Sequence, residues 1–375
     1  MCFDNIKKNF GFGCMRLPML ENGEVDIAQT SKMVDEFLAQ GFNYFDTAHG
    51  YLDGKSELVL KECLTKRYKR EEYILTDKLT KPYFNKQEDI RPFFESQLEA
   101  CGVEYFDFYL MHAQSKSVFE YFKKCKAYET ALELKNEGKI KHFGISFHDT
   151  AEVLDEILTE YPQVEVVQIQ FNYLDYDDPV VQSRKCYEVC RRHNKPVIIM
   201  EPVKGGYLVN LPEDAKEILE ALHGGSPASY AIRFAASFDG VMMVLSGMSN
   251  TEQMNDNLSY MKEFVSLNDT EMEAVKKVAD VLHSKHMIPC TACRYCVAGC
   301  PKNISIPDLF ACMNAKTVFK DWNADYHYNN VHTVHNGKAS ECIKCGKCEQ
   351  ICPQHLKIRD LLVQVADVFE KVETL

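Results

Sequence analysis

Eight cysteines fall in two matched runs. Cys290, Cys293, Cys296 and Cys300 are followed by Pro301, and Cys342, Cys345, Cys348 and Cys352 by Pro353. Gaps of two, two and three residues let one loop offer thiolates to three corners of an iron–sulfur cubane. The proline redirects the fourth cysteine toward a second cubane. The spacing therefore predicts two [4Fe–4S] clusters, one on Cys290, Cys293, Cys296 and Cys352, the other on Cys342, Cys345, Cys348 and Cys300. Structural zinc takes four ligands, commonly as two separated pairs, and two matched runs each closing in Cys-Pro do not read that way. A cubane of this kind moves one electron at a time.

A second set of residues suits two-electron chemistry. Asp46 lies in "FDTAHGY" with Tyr51 just after it, Lys78 ends "ILTDK" and His112 lies in "YLMHA". A phenol is a poor acid near neutral pH. An ammonium beside it would stabilise the phenolate and lower its pKa, and Asp46 would hold Lys78 charged and in place. His112 would orient a carbonyl or share the proton. Such a set protonates a carbonyl oxygen while a hydride reaches the carbon. One aspartate or lysine at a strand end is ordinarily structural. Four ionisable groups at the tips of three consecutive strands point to a site.

The elements that must carry these groups are legible as pattern. Eight apolar runs, "FGFGCMRL", "FNYFDTA", "EYILTDKL", "FDFYLMHA", "IKHFGISF", "VEVVQIQFN", "PVIIMEP" and "GVMMVLSGM", alternate with amphipathic stretches such as 26–40 and 151–161. Strands alternating with helices predict a parallel sheet covered on its outside, and eight repeats predict an α/β fold of the (β/α)₈ TIM-barrel kind. Gly41, Gly102 and Gly138 are placed to close helices. A further helix is expected over 268–285, and then the composition changes. We expect a barrel domain over 1–285 and a small domain over 286–375 carrying both cysteine runs. In the latter, "IPDLFACMNAKTVFKDW" and "LKIRDLLVQVADVFEKV" read as helices.

"FDTAHGY…GKSE", "TDKL" and "LMHA" resemble the signatures of the aldo-keto reductases over residues 10 to 265. The resemblance implies a barrel that binds NADH or NADPH without a Rossmann fold. It also implies a catalytic tetrad of Asp46, Tyr51, Lys78 and His112, with Tyr51 the general acid in reduction. By the same resemblance, Ser146 and Gln168 hold the nicotinamide carboxamide, and Gly13 and Met15 lie against the cofactor. Gly247, Asp256 and Asn257 fall at its adenosine end, where a helix N-terminus suits phosphate. Phe147 replaces the asparagine often found after the serine, Glu201 the aromatic that stacks on the nicotinamide, and Gln253 the arginine that grips a 2′-phosphate. These departures leave the choice between NADH and NADPH open. Lys204 reads as a solvated lysine, with a phosphate contact as its alternative. The C-terminal domain resembles the α-helical ferredoxin type, and the whole chain resembles the aldo-keto reductase subgroup with such a two-[4Fe–4S] domain.

Lys and Arg number 43 against 55 Asp and Glu, a formal net charge of −12, which argues against nucleic acid as a partner. The N-terminal "MCFDNIKKNFGFGCMRLPML" has no long apolar run behind a basic head, so a cytoplasmic location and no membrane are expected. The expected function is NAD(P)H-dependent reduction of a small-molecule carbonyl, or oxidation of the alcohol, with clusters that are structural, sensory or electron-relaying. The alternative is an electron-transfer protein that passes electrons between its clusters and a ferredoxin or flavoprotein partner, with the barrel as a binding module. A nicotinamide gives two electrons and a cubane takes one, and no flavin motif joins them. Loop residues expected to shape a substrate pocket are Tyr83, Phe84, His148, Tyr173 and the segment around Tyr207.

Overall fold

The computed structural model describes residues 3, 5–285, 287–318, 321 and 323–370. Eight parallel strands close into a barrel in sequence order: β1 (Phe10–Gly13), β2 (Tyr44–Asp46), β3 (Ile74–Leu79), β4 (Phe106–Gln114), β5 (Ile140–Phe147), β6 (Val166–Gln170), β7 (Val197–Met200) and β8 (Val241–Gly247). β1 pairs with β8 to complete the ring, with Gly13 opposite both Asp46 and Gly247. Each strand is buried because helices cover it outside and side chains fill it inside, which is why the runs read as almost unbroken apolar stretches.

Inside the barrel, Tyr44, Ile74, Phe108, Leu110, Val166, Ile198, Met243 and Leu245 form one buried layer, with Phe3 and Ile6 packed against it. Gly144 makes that layer possible. A methyl group there would come within 2.7 Å of Leu110 and Val166 side-chain atoms. The N-terminal end of the barrel is therefore plugged, and chemistry is left to the strand C-termini. The helix Ile27–Ala39 starts at Asp26, whose carboxylate accepts from Gln29 N, and buries Met33, Val34 and Phe37. Gly102 closes the helix Gln87–Cys101 in the left-handed conformation at φ 70°.

The chain divides into two compact units, Met1–Pro202 with Ala228–Asp269, and Val203–Pro227 with Thr270–Leu375. The barrel strands of 10–200 and 241–247 belong to the first. In the second, the helices Ile306–Thr317 and Ile358–Phe369 pack Leu309, Phe310, Leu362 and Val365 into a buried core with Tyr328. Tyr328 stacks on Phe369 at 4.5 Å between ring centroids, and its hydroxyl donates to Glu370 Oε1 at 2.5 Å. Phe319, Lys320 and Trp322 of the first expected helix, and residues 371–372 of the last, lie outside the described residues. Among the described residues no helix is long and apolar enough to cross a membrane.

Candidate functional site

Three neighbouring strands bring the tetrad together. Asp46 is the last residue of β2, Lys78 lies near the end of β3, and His112 near the end of β4. Parallel pairing sets Asp46 opposite Thr76 and Lys78 opposite Leu110, so the three tips share one rim. Lys78 is fully buried. Its ammonium donates to Asp46 Oδ1 at 2.7 Å, to the Thr47 carbonyl at 2.6 Å and to Tyr51 Oη at 3.4 Å. All three of its protons are thus directed. The Tyr51 and His112 rings meet edge to face at 6.1 Å.

The loop that presents Tyr51 is held from below. Ser56 Oγ lies 2.7 Å from Thr47 Oγ1 and donates to the Cys14 carbonyl at 3.0 Å. Glu57 is buried and receives His49 Nδ1 at 2.9 Å and Gln97 Nε2 at 3.1 Å. Gln97 Nε2 also reaches the Lys78 carbonyl at 3.1 Å, so one amide ties the Tyr51 loop to β3. Leu52 and Asp53 follow Tyr51 at φ 54° and 55°, a left-handed run that costs L-residues about 1–2 kcal/mol each.

Burial sets the protonation states. It pushes the Tyr51 phenol well above its ordinary value, and the charges of Asp46, Asp77 and Glu201 add to this. The expectation of a lowered phenol pKa is therefore corrected: desolvation and nearby carboxylates outweigh one ammonium at 3.4 Å. His112 is held well below its ordinary value by burial, then by Lys78 and His148, so its imidazole is neutral. Its Nδ1 lies 2.7 Å from Thr80 Oγ1. The same hydroxyl lies 3.3 Å from the Lys78 carbonyl; where it gives its one proton to Nδ1 instead of to that carbonyl, the proton of the ring sits on Nε2. Burial also raises the Asp46 carboxyl, against the pull of Lys78 and Gln168.

The residues expected at the nicotinamide gather around this rim. Gln168 Nε2 donates to Asp46 Oδ2 at 3.3 Å, and Ser146 Oγ accepts from Ala113 N at 2.8 Å, next to His112. Glu201, just past β7, adopts φ 57°, and its carbonyl accepts from Asn172 Nδ2 at 3.0 Å. Met15 is half-buried two residues beyond Gly13. At the other end, the helix Thr251–Met261 is capped by Asn250, whose side chain accepts from Gln253 N at 2.9 Å. Gln253 Oε1 accepts from Ser249 N at 2.8 Å, so Gln253 completes the cap. Asn257 donates to Ser246 Oγ at 3.3 Å, and Asp256 is half-buried on the same helix.

Sequence reading missed Thr80, Ser56, Gln97 and Arg16. Arg16 lies in the loop after β1, and a methyl added to Gly247 would come 3.3 Å from Arg16 Cβ. Its position four residues before Leu20 in the chain gives no hint of β8; only barrel closure brings them together. Other expectations are redirected. Lys204 is neither solvated nor in the barrel unit; it is 1% exposed, and its ammonium lies 3.4 Å from Gln354 Oε1 within the second unit. Phe84 is fully buried against Phe122. Tyr207 belongs to the second unit, where its hydroxyl donates to the Ile288 carbonyl at 2.8 Å. Tyr83 is exposed and stacks on Phe93, Tyr173 is buried, and His148 is half-buried.

In the second unit the eight cysteines surround two cavities. Cys290, Cys293, Cys296 and Cys352 line one, with Pro307 and Phe310. Cys300, Cys342, Cys345 and Cys348 line the other, with Ile304 and Leu362. Among the described residues no three His, Cys, Asp or Glu side chains converge closely enough to hold a single metal ion. The cysteines stand around spaces instead of meeting at points.

A buried ionic cluster at the C-terminal rim of an eight-stranded parallel barrel sits where (β/α)₈ enzymes carry their chemistry. The profile of the aldo/keto reductase family matches residues 9–280, and the chain belongs to that family. A 4Fe-4S dicluster domain matches residues 289–357. The chain is similar to an NADH-specific methylglyoxal reductase of Escherichia coli (strain K12), 23% identical over 305 residues, covering 70% of this chain and 90% of that protein. Its fold is shared with an aldo-keto reductase from Klebsiella pneumoniae in complex with NADPH (TM-score 0.59, 18% identity, 72% of this chain and 90% of that one). A holo-form aldo-keto reductase from Bacillus halodurans matches at TM-score 0.58 and 24% identity, over 72% of this chain and 91% of that one.

Proposed function

We propose that the barrel reduces a small-molecule carbonyl with NADH or NADPH, or oxidises the alcohol in reverse, with Tyr51 as general acid. The observation that carries this reading is the chain of contacts from Asp46 Oδ1 through Lys78 Nζ to Tyr51 Oη, at 2.7 and 3.4 Å. The bound nicotinamide supplies the hydride. Tyr51 keeps its proton until a carbonyl oxygen gathers negative charge, because its burial disfavours phenolate. Lys78 then steadies the phenolate at the moment it forms, and the neutral His112 offers Nε2–H to the same oxygen. Asp46 keeps the ammonium charged and aimed. Ser146 and Gln168 lie side by side on β5 and β6, from where Gln168 reaches Asp46 across the barrel mouth, and there they would hold the carboxamide.

At the adenosine end, Gln253 is neutral and engaged in the helix cap, which supports NADH. Arg16 supplies a cation beside Gly247 for the phosphates of either cofactor. We take 1–285 as the reductase module and 286–375 as the cluster module, although 203–227 and 270–285 fold with the cysteine-bearing unit. In the second, the cavity lining fits the expected ligand sets, and Cys290, Cys293, Cys296 and Cys352 would hold one [4Fe–4S] cluster and Cys300, Cys342, Cys345 and Cys348 the other. Bound clusters supply one-electron chemistry.

The test is NADH and NADPH oxidation by anaerobically purified protein across a carbonyl panel that includes methylglyoxal. Tyr51→Phe should lower kcat by at least about 100-fold, with nicotinamide binding retained. Turnover by Tyr51→Phe at the wild-type rate would remove the tyrosine from the reaction.

A further inference from the structure

We propose that the cavity lined by Cys300, Cys342, Cys345 and Cys348 is the electron port of the protein, and that the basic face around it docks a small acidic one-electron carrier protein. The inference rests on reading these cysteines as ligands of a [4Fe–4S] cluster.

Exposure separates the two cavities. Cys345 is the one exposed thiol among the eight. Around the other cavity Cys296 is buried, and Cys290, Cys293 and Cys352 are half-buried. Electron tunnelling weakens steeply with distance, so the exposed centre is where an external carrier exchanges electrons fastest.

Charge separates them further. Lys302 and Lys347 line the Cys345 cavity, and the exposed Lys344 sits between Ile343 and Cys345. None of these three lysines makes an ion pair among the described residues. Arg359 also lines it, but its charge is offset by Glu349 at 2.7 Å. At the other cavity the corresponding cation, Arg294, is held by Asp308 at 2.8 Å. A local excess of positive charge on a chain of net −12 runs against the whole-molecule field. It attracts an acidic carrier to one place and leaves the remainder of the surface repulsive. Three lysines are too few to hold a polyphosphate backbone against that field.

The patch also has an apolar centre. Ile343 lines the cavity and is 57% exposed, flanked by the lysines. An apolar spot ringed by charge is the usual anatomy of a short-lived protein contact. The same cations would favour the more negative, reduced state of a cluster held there, so reversing their charge would lower its potential. In the exchange the reduced carrier loses one electron and the cluster gains it; no bond forms and no proton moves.

The experiment uses the anaerobic holoprotein and a strongly acidic plant-type [2Fe–2S] ferredoxin, reduced beforehand, in stopped-flow mixing. The rate should fall with added salt. The Lys302→Glu/Lys344→Glu/Lys347→Glu variant should react about tenfold more slowly at low salt. Redox titration followed by EPR should show one cluster lowered in potential and the other unmoved. A control with the same net change on exposed lysines that do not line the cavity, Lys66→Glu/Lys124→Glu/Lys276→Glu, should keep most of the rate. Equal slowing in both variants, or a rate that rises with salt, would overturn the port. Iron analysis and EPR lacking clusters altogether would strike the cluster reading first, and is told apart from both.

Discussion

Cys300 and Cys352 each line the cavity of the other cysteine run: Cys300 stands with Cys342, Cys345 and Cys348, and Cys352 with Cys290, Cys293 and Cys296. The proline after each turns the chain out of its own loop. The two cavities therefore depend on each other's segments, although 41 residues separate Cys300 from Cys342 in the chain.

Cys352→Ala should remove the cluster of the first run, from which it is distant in sequence, and spare that of the second. Iron content should drop from about eight to about four per chain, with one EPR signal surviving. Loss of the cluster on Cys342, Cys345 and Cys348 instead would contradict the exchange.

Asp46→Asn tests the buried pair. Lys78 is fully buried and Asp46 nearly so, so removing the carboxylate leaves an ammonium without its counter-charge. We expect a loss of about 3–5 kcal/mol in stability, read by chemical denaturation, together with a fall in kcat. A variant as stable as the wild type would mean that Thr47 and Tyr51 suffice to hold the charge.

Thr80 is a positioning residue in this scheme: its hydroxyl lies 2.7 Å from His112 Nδ1 and 3.3 Å from the Lys78 carbonyl, and which of the two receives its proton sets the ring tautomer. Thr80→Val keeps the shape and removes the donor. It should lower kcat about tenfold with little change in nicotinamide affinity, and shift the imidazole nitrogens in ¹⁵N NMR toward the other tautomer. An unchanged NMR tautomer would return Thr80 to a packing role.

Glu165 governs part of the acid limb of stability. Burial raises its carboxyl, but His142, Lys135 and the Phe143 N–H overcome this and bring it down to about 2 from an ordinary 4.5. A folded value below the unfolded one gives stability that is full above about pH 4.5 and is lost as pH falls through about 2. Its side chain is 12% exposed, so screening takes little away. Glu165→Gln should cost about 3 kcal/mol at pH 7 and almost nothing near pH 2, measured as denaturation midpoints across pH. A constant difference at all pH values would place the effect elsewhere.

What the sequence alone determined is what short-range spacing encodes. The cysteine runs carry their ligand geometry within eleven residues each, from Cys290 to Cys300 and from Cys342 to Cys352. The strand runs put Asp46, Lys78 and His112 at tips, because side chains at the end of a barrel strand have one place to go. Tertiary structure decided what depends on burial and on distant neighbours. Tyr51 is a stronger keeper of its proton than a lone ammonium neighbour implied, because desolvation is a property of the assembled rim. Lys204 reads as a surface lysine and is buried beside Gln354, 150 residues away, while Arg16 meets Gly247 only once β1 closes on β8. Such pairings have no local period and leave no trace in spacing. They arise when a closed barrel and a helical unit bring far-separated segments out of water together.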